Sequence, residues 1–248
     1  MKHLATFWLP AGFLAVWSAA SLGHFIDPLF LPAPWAVAKS LLAEFLNGSL
    51  ARDFAATVVR SLVGFTAAAM LGVPLGLLVG RMPTLARATQ PTIDFFRSVP
   101  ATALFPLFLF LFGIGDMAKI AIVIYACSLI ILVNTAYGAL QVKIARILSA
   151  KVMGASDRDI FWSIVIPESA PGIFAGLRIA LSLSFVLIVV TEMFIGTTVG
   201  IGYQIMNAQM VYRIPEMYAG IILAGLTGYL ANICLLRAER RVIHWVGK

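Results

Sequence analysis

Long apolar runs alternate with short polar breaks along this chain, and the spacing of the breaks predicts helices that cross a bilayer. A bilayer core takes about 20 apolar residues of helix, and six runs answer to that length, near residues 7–26, 57–80, 97–113, 117–138, 179–197 and 218–236. The third is short and holds Pro100 and Pro106, so it is expected to kink or tilt, with its freed carbonyls satisfied by neighbouring helices. In the second, Gly64, Ala68, Gly72, Gly76 and Gly80 recur every fourth residue and line one helix face. Such stripes let helices approach to van der Waals contact in lipid, so tight packing inside one subunit is favoured over a dimer seam or a moving gate. Pro74 is expected to kink this helix on the opposite side, and Leu77, one position round, to tolerate truncation. After the first run, Pro32 and Pro34 end the exit segment. Val37, Leu41, Leu42, Phe45 and Leu46 then form an amphipathic face suited to the outer interface.

The polar stretch 141–178 between the fourth and fifth runs reads as a helical hairpin. Gly154 can adopt a positive φ and admits close approach of another backbone, which suits a corner. Ser156 followed by Asp159 predicts a capping box, and with Asp157 it sets two carboxylates at the positive end of a short helix. Ile160, Phe161 and Ile164 give that helix an apolar stripe, flanked by Arg158 and Asp159. Periodicity leaves two readings open, packing on the protein's own membrane helices or a docking surface.

Composition supports the membrane reading: 61% of residues are hydrophobic, 12% are charged, and mean hydropathy is +0.96. The net charge of +7 sits beside the apolar runs and forms no basic stripe, so a nucleic-acid partner is not expected and the lipid bilayer is. Thirteen of the 18 cations fall at one alternating set of ends (Lys2; Arg81, Arg87 and Arg97; Lys143, Arg146, Lys151, Arg158 and Arg178; Arg237, Arg240, Arg241 and Lys248). The other set holds Lys39, Arg52, Arg60, Lys119 and Arg213. Positive-inside sorting therefore places both termini and the hairpin in the cytoplasm. Lys2 ahead of an apolar run, with Ala19, Ala20 and Ser21 after it, has the form of a signal peptide, and a retained helix is preferred. Trp245 in the basic tail suits a helix end held at the headgroups.

Candidate chemistry is sparse. His3, His24 and His244 are dispersed and Cys127 and Cys234 lie inside apolar runs, so the expectation is no metal site, no disulfide and packing roles for both thiols. Neither a Walker A motif nor a G-x-S-x-G elbow is present, so any ATP hydrolysis belongs to a separate chain and an intramembrane enzyme is disfavoured. Glu192 is costly inside an apolar run and calls for a protein or water partner, a structural role at an interface or gate being favoured. Arg60, Asn134, Thr135 and Tyr137 are further candidates for a polar path. The bland alternatives are an outward-snorkelling anchor for Arg60 and an interhelical hydrogen bond for Asn134.

The hairpin's Ala150, Gly154, the nine residues 155–163 and Ile164-Val165-Ile166-Pro167 resemble the ATPase-docking loop of ABC importer permeases, although Leu148 and Ser149 replace its usual Glu-Ala. The segments VPATALFPLFLFLFGIGDMAKI and VVTEMFIGTTVGIGYQI resemble the nitrate, sulfonate and taurine branch of that family. The resemblance implies an all-α integral membrane protein, a single permease domain over 1–248 with the type I ABC importer permease fold, in a bacterial inner membrane. It assigns ATPase coupling to Ala150, Gly154, Ala155, Ser156, Asp157, Asp159, Ile160, Phe161, Ile164 and Pro167. It further implies a second permease copy or sister permease, an external solute-binding protein and a small anionic solute. ATP and Mg would reside on the ATPase, with no cofactor in this chain. A secondary transporter or passive channel is the alternative.

Overall fold

In the computed structural model the described residues are 2–23, 25–27 and 29–243, without the side chains of residues 2–7. His24, His244, Trp245 and Lys248, and the side chains of Lys2 and His3, therefore lie outside the described residues. Helices form wherever the apolar runs occur, and no strand is found among the described residues. The order is α1 (Lys2–Leu22), α2 (Pro34–Leu46), α3 (Ser49–Arg81), α4 (Pro83–Ser98), a 3-10 turn (Ala101–Leu104), α5 (Phe105–Phe112), α6 (Asp116–Leu140), α7 (Ile144–Val152), α8 (Asp157–Ile160), a π turn (Phe161–Val165), α9 (Ile166–Phe194), α10 (Ile201–Met210) and α11 (Ile214–Val242).

Among the described residues four helical segments are long and apolar enough to cross a membrane: Ser49–Arg81, Asp116–Leu140, Asp157–Phe194 and Ile214–Val242. A fifth crossing is available if α4 and the following helical segment are one broken span, bent by 81°. The third run is thus two helices rather than one kinked helix. Val99 and Pro100 are extended there, and a proline that cannot donate a backbone hydrogen bond marks the break. Trp8–Leu22 of α1 is a shorter apolar helix.

Proline acts differently in the other helices. Pro74 sits inside α3 without ending it. Pro167 falls in the first turn of α9, where it cannot bond the carbonyl four residues back at Ser163, and the chain there widens into the π turn. As a result α8, the π turn and α9 run on as one helical segment, and the second half of the stretch 141–178 is the beginning of a membrane helix. The sequence pattern did not reveal α10, a short helix packed between α9 and α11.

The core is a three-helix seam with α6 at its centre. All five stripe residues of α3 are buried against α6. A Cβ built on Gly64 would stand 2.7 Å from Val123, one on Gly72 2.8 Å from the Ser128 carbonyl, one on Gly76 2.6 Å from Thr135 and one on Gly80 2.8 Å from Ala139. The opposite side of α6 meets α9 equally closely: Gly138 faces Gly172, and Gly176 faces Asn134 and Ile131. Between the seams Ala68, Val123, Cys127, Ile131, Ala180, Leu187 and Ile188 form one buried cluster.

Two expectations need correction. Leu77 is only 8% exposed, because the residue after Gly76 turns toward the hairpin instead of lipid. Cys234 is exposed on α11, so packing accounts for Cys127 alone.

Overpacking of this kind costs about 1–3 kcal/mol, so Gly76→Leu is expected to lower the thermal midpoint of the purified protein by several degrees. Leu75→Ala, on the 47% exposed side of α3, is expected to leave it unchanged. Equal midpoints for the two variants would place Gly76 outside the seam.

Candidate functional site

The hairpin is closed by backbone chemistry at both ends of its turn. Gly154 takes φ +85°, its N–H donates to the Lys151 carbonyl at 3.0 Å, and the Ala155 N–H donates to the Ala150 carbonyl at 3.0 Å. This pair of bonds is a Schellman termination of α7. No other atom lies within 4 Å of a Cβ built on Gly154, so the left-handed backbone, and not a close neighbour within this chain, demands glycine. The next helix opens with the expected capping box: the Asp159 N–H donates to Ser156 Oγ and the Ser156 N–H to Asp159 Oδ2, each at 3.2 Å. Lys151 pairs with Asp157 across the corner at 3.1 Å. Arg146 is paired with Glu168, which ties α7 to the first turn of α9.

The apolar stripe does not face outward. Ile160 is buried with Val142, Ile147, Ala150 and Val165, and Ala155, Phe161 and Ile164 pack on them. Sequence periodicity identified the stripe but not its direction. The exposed large apolar residues of the hairpin are instead Val152 (89%), Met153 (80%), Ile144 (71%), Trp162 (61%) and Leu148 (57%). Ile144, Leu148 and Val152 recur every fourth residue along α7, a stripe that sequence reading passed over and that its exposure in the folded chain makes evident.

A second polar constellation stands at the other end of α9, roughly 40 Å along the helix axis from the hairpin. Glu192 is 2% exposed and its carboxylate accepts from Arg60 Nη1 at 2.7 Å, Thr57 Oγ1 at 2.8 Å and the Gly202 N–H at 3.1 Å. Arg60 also donates to the Val199 carbonyl at 2.8 Å, and its Nε lies 2.8 Å from Asp116. Lys119 is buried beside them, donating to the Gly115 carbonyl at 3.1 Å. The Gly200 N–H donates to Asp53 and the Ile201 N–H to Thr57 Oγ1, each at 2.9 Å. Gly200 takes φ +140° directly over the Glu192 carboxylate, where a side chain would collide. The arrangement pins α3, α6, α9 and the loop into α10 together. Arg60 is therefore buried and paired, which corrects the snorkelling alternative.

The other path candidates are not gathered with this pair. Asn134 donates to the Ile130 carbonyl of its own helix at 2.9 Å. Thr135 is fully buried beneath Gly76, and Tyr137 is 61% exposed. Within one chain Asn134 and Thr135 are engaged in α6 and its packing, while Tyr137 stands on its surface. Asp53, Thr57, Asp116 and Lys119 escaped sequence reading because nothing in the sequence paired these run-end residues with one another.

A third cluster joins α2, α10 and α11. Gln204 Nε2 donates to Glu44 at 3.0 Å and to the Glu216 carbonyl at 3.2 Å, and Arg213 lies 3.5 Å from Glu216. Burial, and next the neighbouring Glu216 carboxylate, push the Glu44 carboxyl up to about 7.

The chain belongs to the family described as the binding-protein-dependent transport system inner membrane component, whose model matches residues 72–248. It is 31% identical to the taurine transport system permease protein TauC of Escherichia coli (strain K12) over 240 residues, 95% of this chain and 87% of that one. Over 245 residues it is 32% identical to the putative aliphatic sulfonates transport permease protein SsuC of the same strain, 99% of this chain and 93% of that one. A chain in an inward-facing structure of the MetNI methionine ABC transporter shares the fold with a TM-score of 0.68 at 21% identity, over 78% of this chain and 95% of that chain. This protein is accordingly a multi-pass permease, the membrane-spanning subunit of an ABC importer, a family that works with a separate ATPase and a binding protein.

Two outcomes test the buried clusters. Arg60→Ala strands the Glu192 carboxylate and is expected to destabilise the protein by about 3–5 kcal/mol. Adding Glu192→Gln is expected to recover much of that loss in thermal unfolding, a non-additivity that independent sites do not show. A carboxyl raised in the folded state stabilises fully below its ordinary 4.5 and loses that contribution as pH rises toward about 7. The thermal midpoint of the wild type is therefore expected to fall between pH 5 and 8, and that of Glu44→Gln to vary less.

Proposed function

We propose that this permease supplies the pathway for a small anion of the taurine, aliphatic sulfonate or nitrate kind, the solutes for which its relatives are named. In this reading six spans cross the inner membrane: α1, α3, the broken pair of α4 and α5, α6, α9 and α11. Both termini and the hairpin face the cytoplasm, an arrangement supported by the thirteen-to-five division of cations between the two sets of ends. The Arg60–Glu192 pin then lies at the outer side, where an external binding protein delivers solute. Pairing with a second permease copy or a sister permease completes the pathway.

The observation that carries the coupling role is the hairpin's rigidity combined with its unburied apolar edge. Schellman corner, capping box and Lys151–Asp157 pair hold Val152 and Met153 out in water, where large apolar side chains need a partner. The separate ATPase, which carries ATP and Mg, docks there. Its movement passes through the Arg146–Glu168 tie into α9 and so to Glu192 at the far end of the same helix. Gly154 and Asp157 shape the corner, while Ile160, Phe161, Ile164 and Pro167 support it from inside.

Val152→Glu with Met153→Glu is expected to reduce co-purified ATPase at least about tenfold, a loss of about 1.4 kcal/mol or more, while membrane insertion and thermal midpoint stay unchanged. Normal ATPase recovery would overturn the docking surface. A reporter fused after Lys248 is expected to be active only as a cytoplasmic fusion, and external activity would overturn the six-span topology.

A further inference from the structure

An apolar groove of about 570 Å³ runs between the last turns of α3 and the hairpin. Leu77 and Leu78 form one wall and Val165 the other, and Trp162 stands 61% exposed at its side. The mouth is charged. Lys151 is neutralised by Asp157 at 3.1 Å, whereas Arg81, part-buried in the last turn of α3, has no acidic side chain within ion-pair distance among the described residues. The groove thus combines apolar walls with one uncompensated positive charge, and an interfacial tryptophan marks the headgroup level.

From this combination we infer that the groove is a binding site for an anionic phospholipid of the cytoplasmic leaflet. Its acyl chain lies along Leu77, Leu78 and Val165, and its phosphate meets Arg81. The inference rests on the topology proposed above, which sets this end of α3 at the cytoplasmic headgroups. The charge balance selects the ligand: a phosphatidylglycerol headgroup carries one negative charge and neutralises the mouth, whereas a zwitterionic headgroup leaves Arg81 partly uncompensated. Water cannot replace the lipid along the walls, because the groove offers it few polar partners. Bound in this way, the lipid braces the hairpin against α3, the one of the three seam helices to which the hairpin is not directly joined by the chain.

The test is native mass spectrometry of the intact permease–ATPase complex in detergent, titrated with phosphatidylglycerol or phosphatidylcholine. The wild type is expected to retain phosphatidylglycerol preferentially, one per permease copy. One interfacial cation contributes about fivefold in affinity, so Arg81→Gln is expected to lose about that factor and Arg81→Lys to recover most of it. Leu78→Trp, which fills the groove from the exposed side of α3 and leaves Arg81 in place, is expected to lower retention of both lipids. Equal losses for Arg81→Gln and Arg240→Gln would mean diffuse attraction by the basic surface and would overturn the site. Displacement of the lipid by inorganic phosphate at equal concentration would overturn the role of the acyl chain. If the complex excludes phosphatidylglycerol that the ATPase-free permease retains, the groove is part of the ATPase interface and the proposal fails. An external reporter at Lys248 together with an Arg81-dependent lipid would leave the site standing and remove only its assignment to the cytoplasmic leaflet.

Discussion

Backbone contact along both sides of α6 is the constraint on which the rest of this molecule depends. In lipid, apolar burial does not drive helices together, so association rests on close van der Waals packing and interhelical hydrogen bonds. The small residues of α3 press on one side of α6, and the pairing of Gly138 with Gly172 closes the other at distances that leave no room for side chains. A helix held so tightly on two sides cannot rotate independently, and α3, α6 and α9 form a single block. Everything assigned to function is attached to the ends of that block.

At one end the block makes a buried ion pair possible. Removing Arg60 and Glu192 from water is expensive, and the cost is offset only when the remaining donors and acceptors are satisfied. Thr57, Gly202 and Val199 supply hydrogen bonds, and Asp116 an ion-pair contact to an Arg60 Nε that has no hydrogen-bond partner of its own, because the seams bring α3, α6 and α9 into register. The backbone of the loop into α10 then closes over the carboxylate, and Gly200 is required there by sterics.

At the other end the block carries the hairpin, which hangs between the last turn of α6 and the first turn of α9. Its small interior of Val142, Ile147, Ala150, Ile160 and Val165 consumes the helical stripe that looked available for a partner. Consequently the apolar surface left exposed lies on α7 and the corner, at Ile144, Leu148, Val152 and Met153, and not on the stripe of the following helix. Since α9 joins the hairpin to Glu192 without interruption, one helix links the hairpin to the buried ion pair.

The sequence by itself determined the membrane class, the small-residue face of α3, the hairpin with its glycine corner and capping box, and the family resemblance. These features depend on local spacing, composition or the conformation of one residue, all of which are written in chain order. Tertiary structure alone decided that Arg60 pairs with Glu192 across 132 positions, that Thr135 serves packing and that Leu77 turns inward. It also decided which side of the hairpin is spent on its own core. Such outcomes depend on the relative rotation of helices distant in sequence. Periodicity marks a helix face, but only packing settles what that face meets.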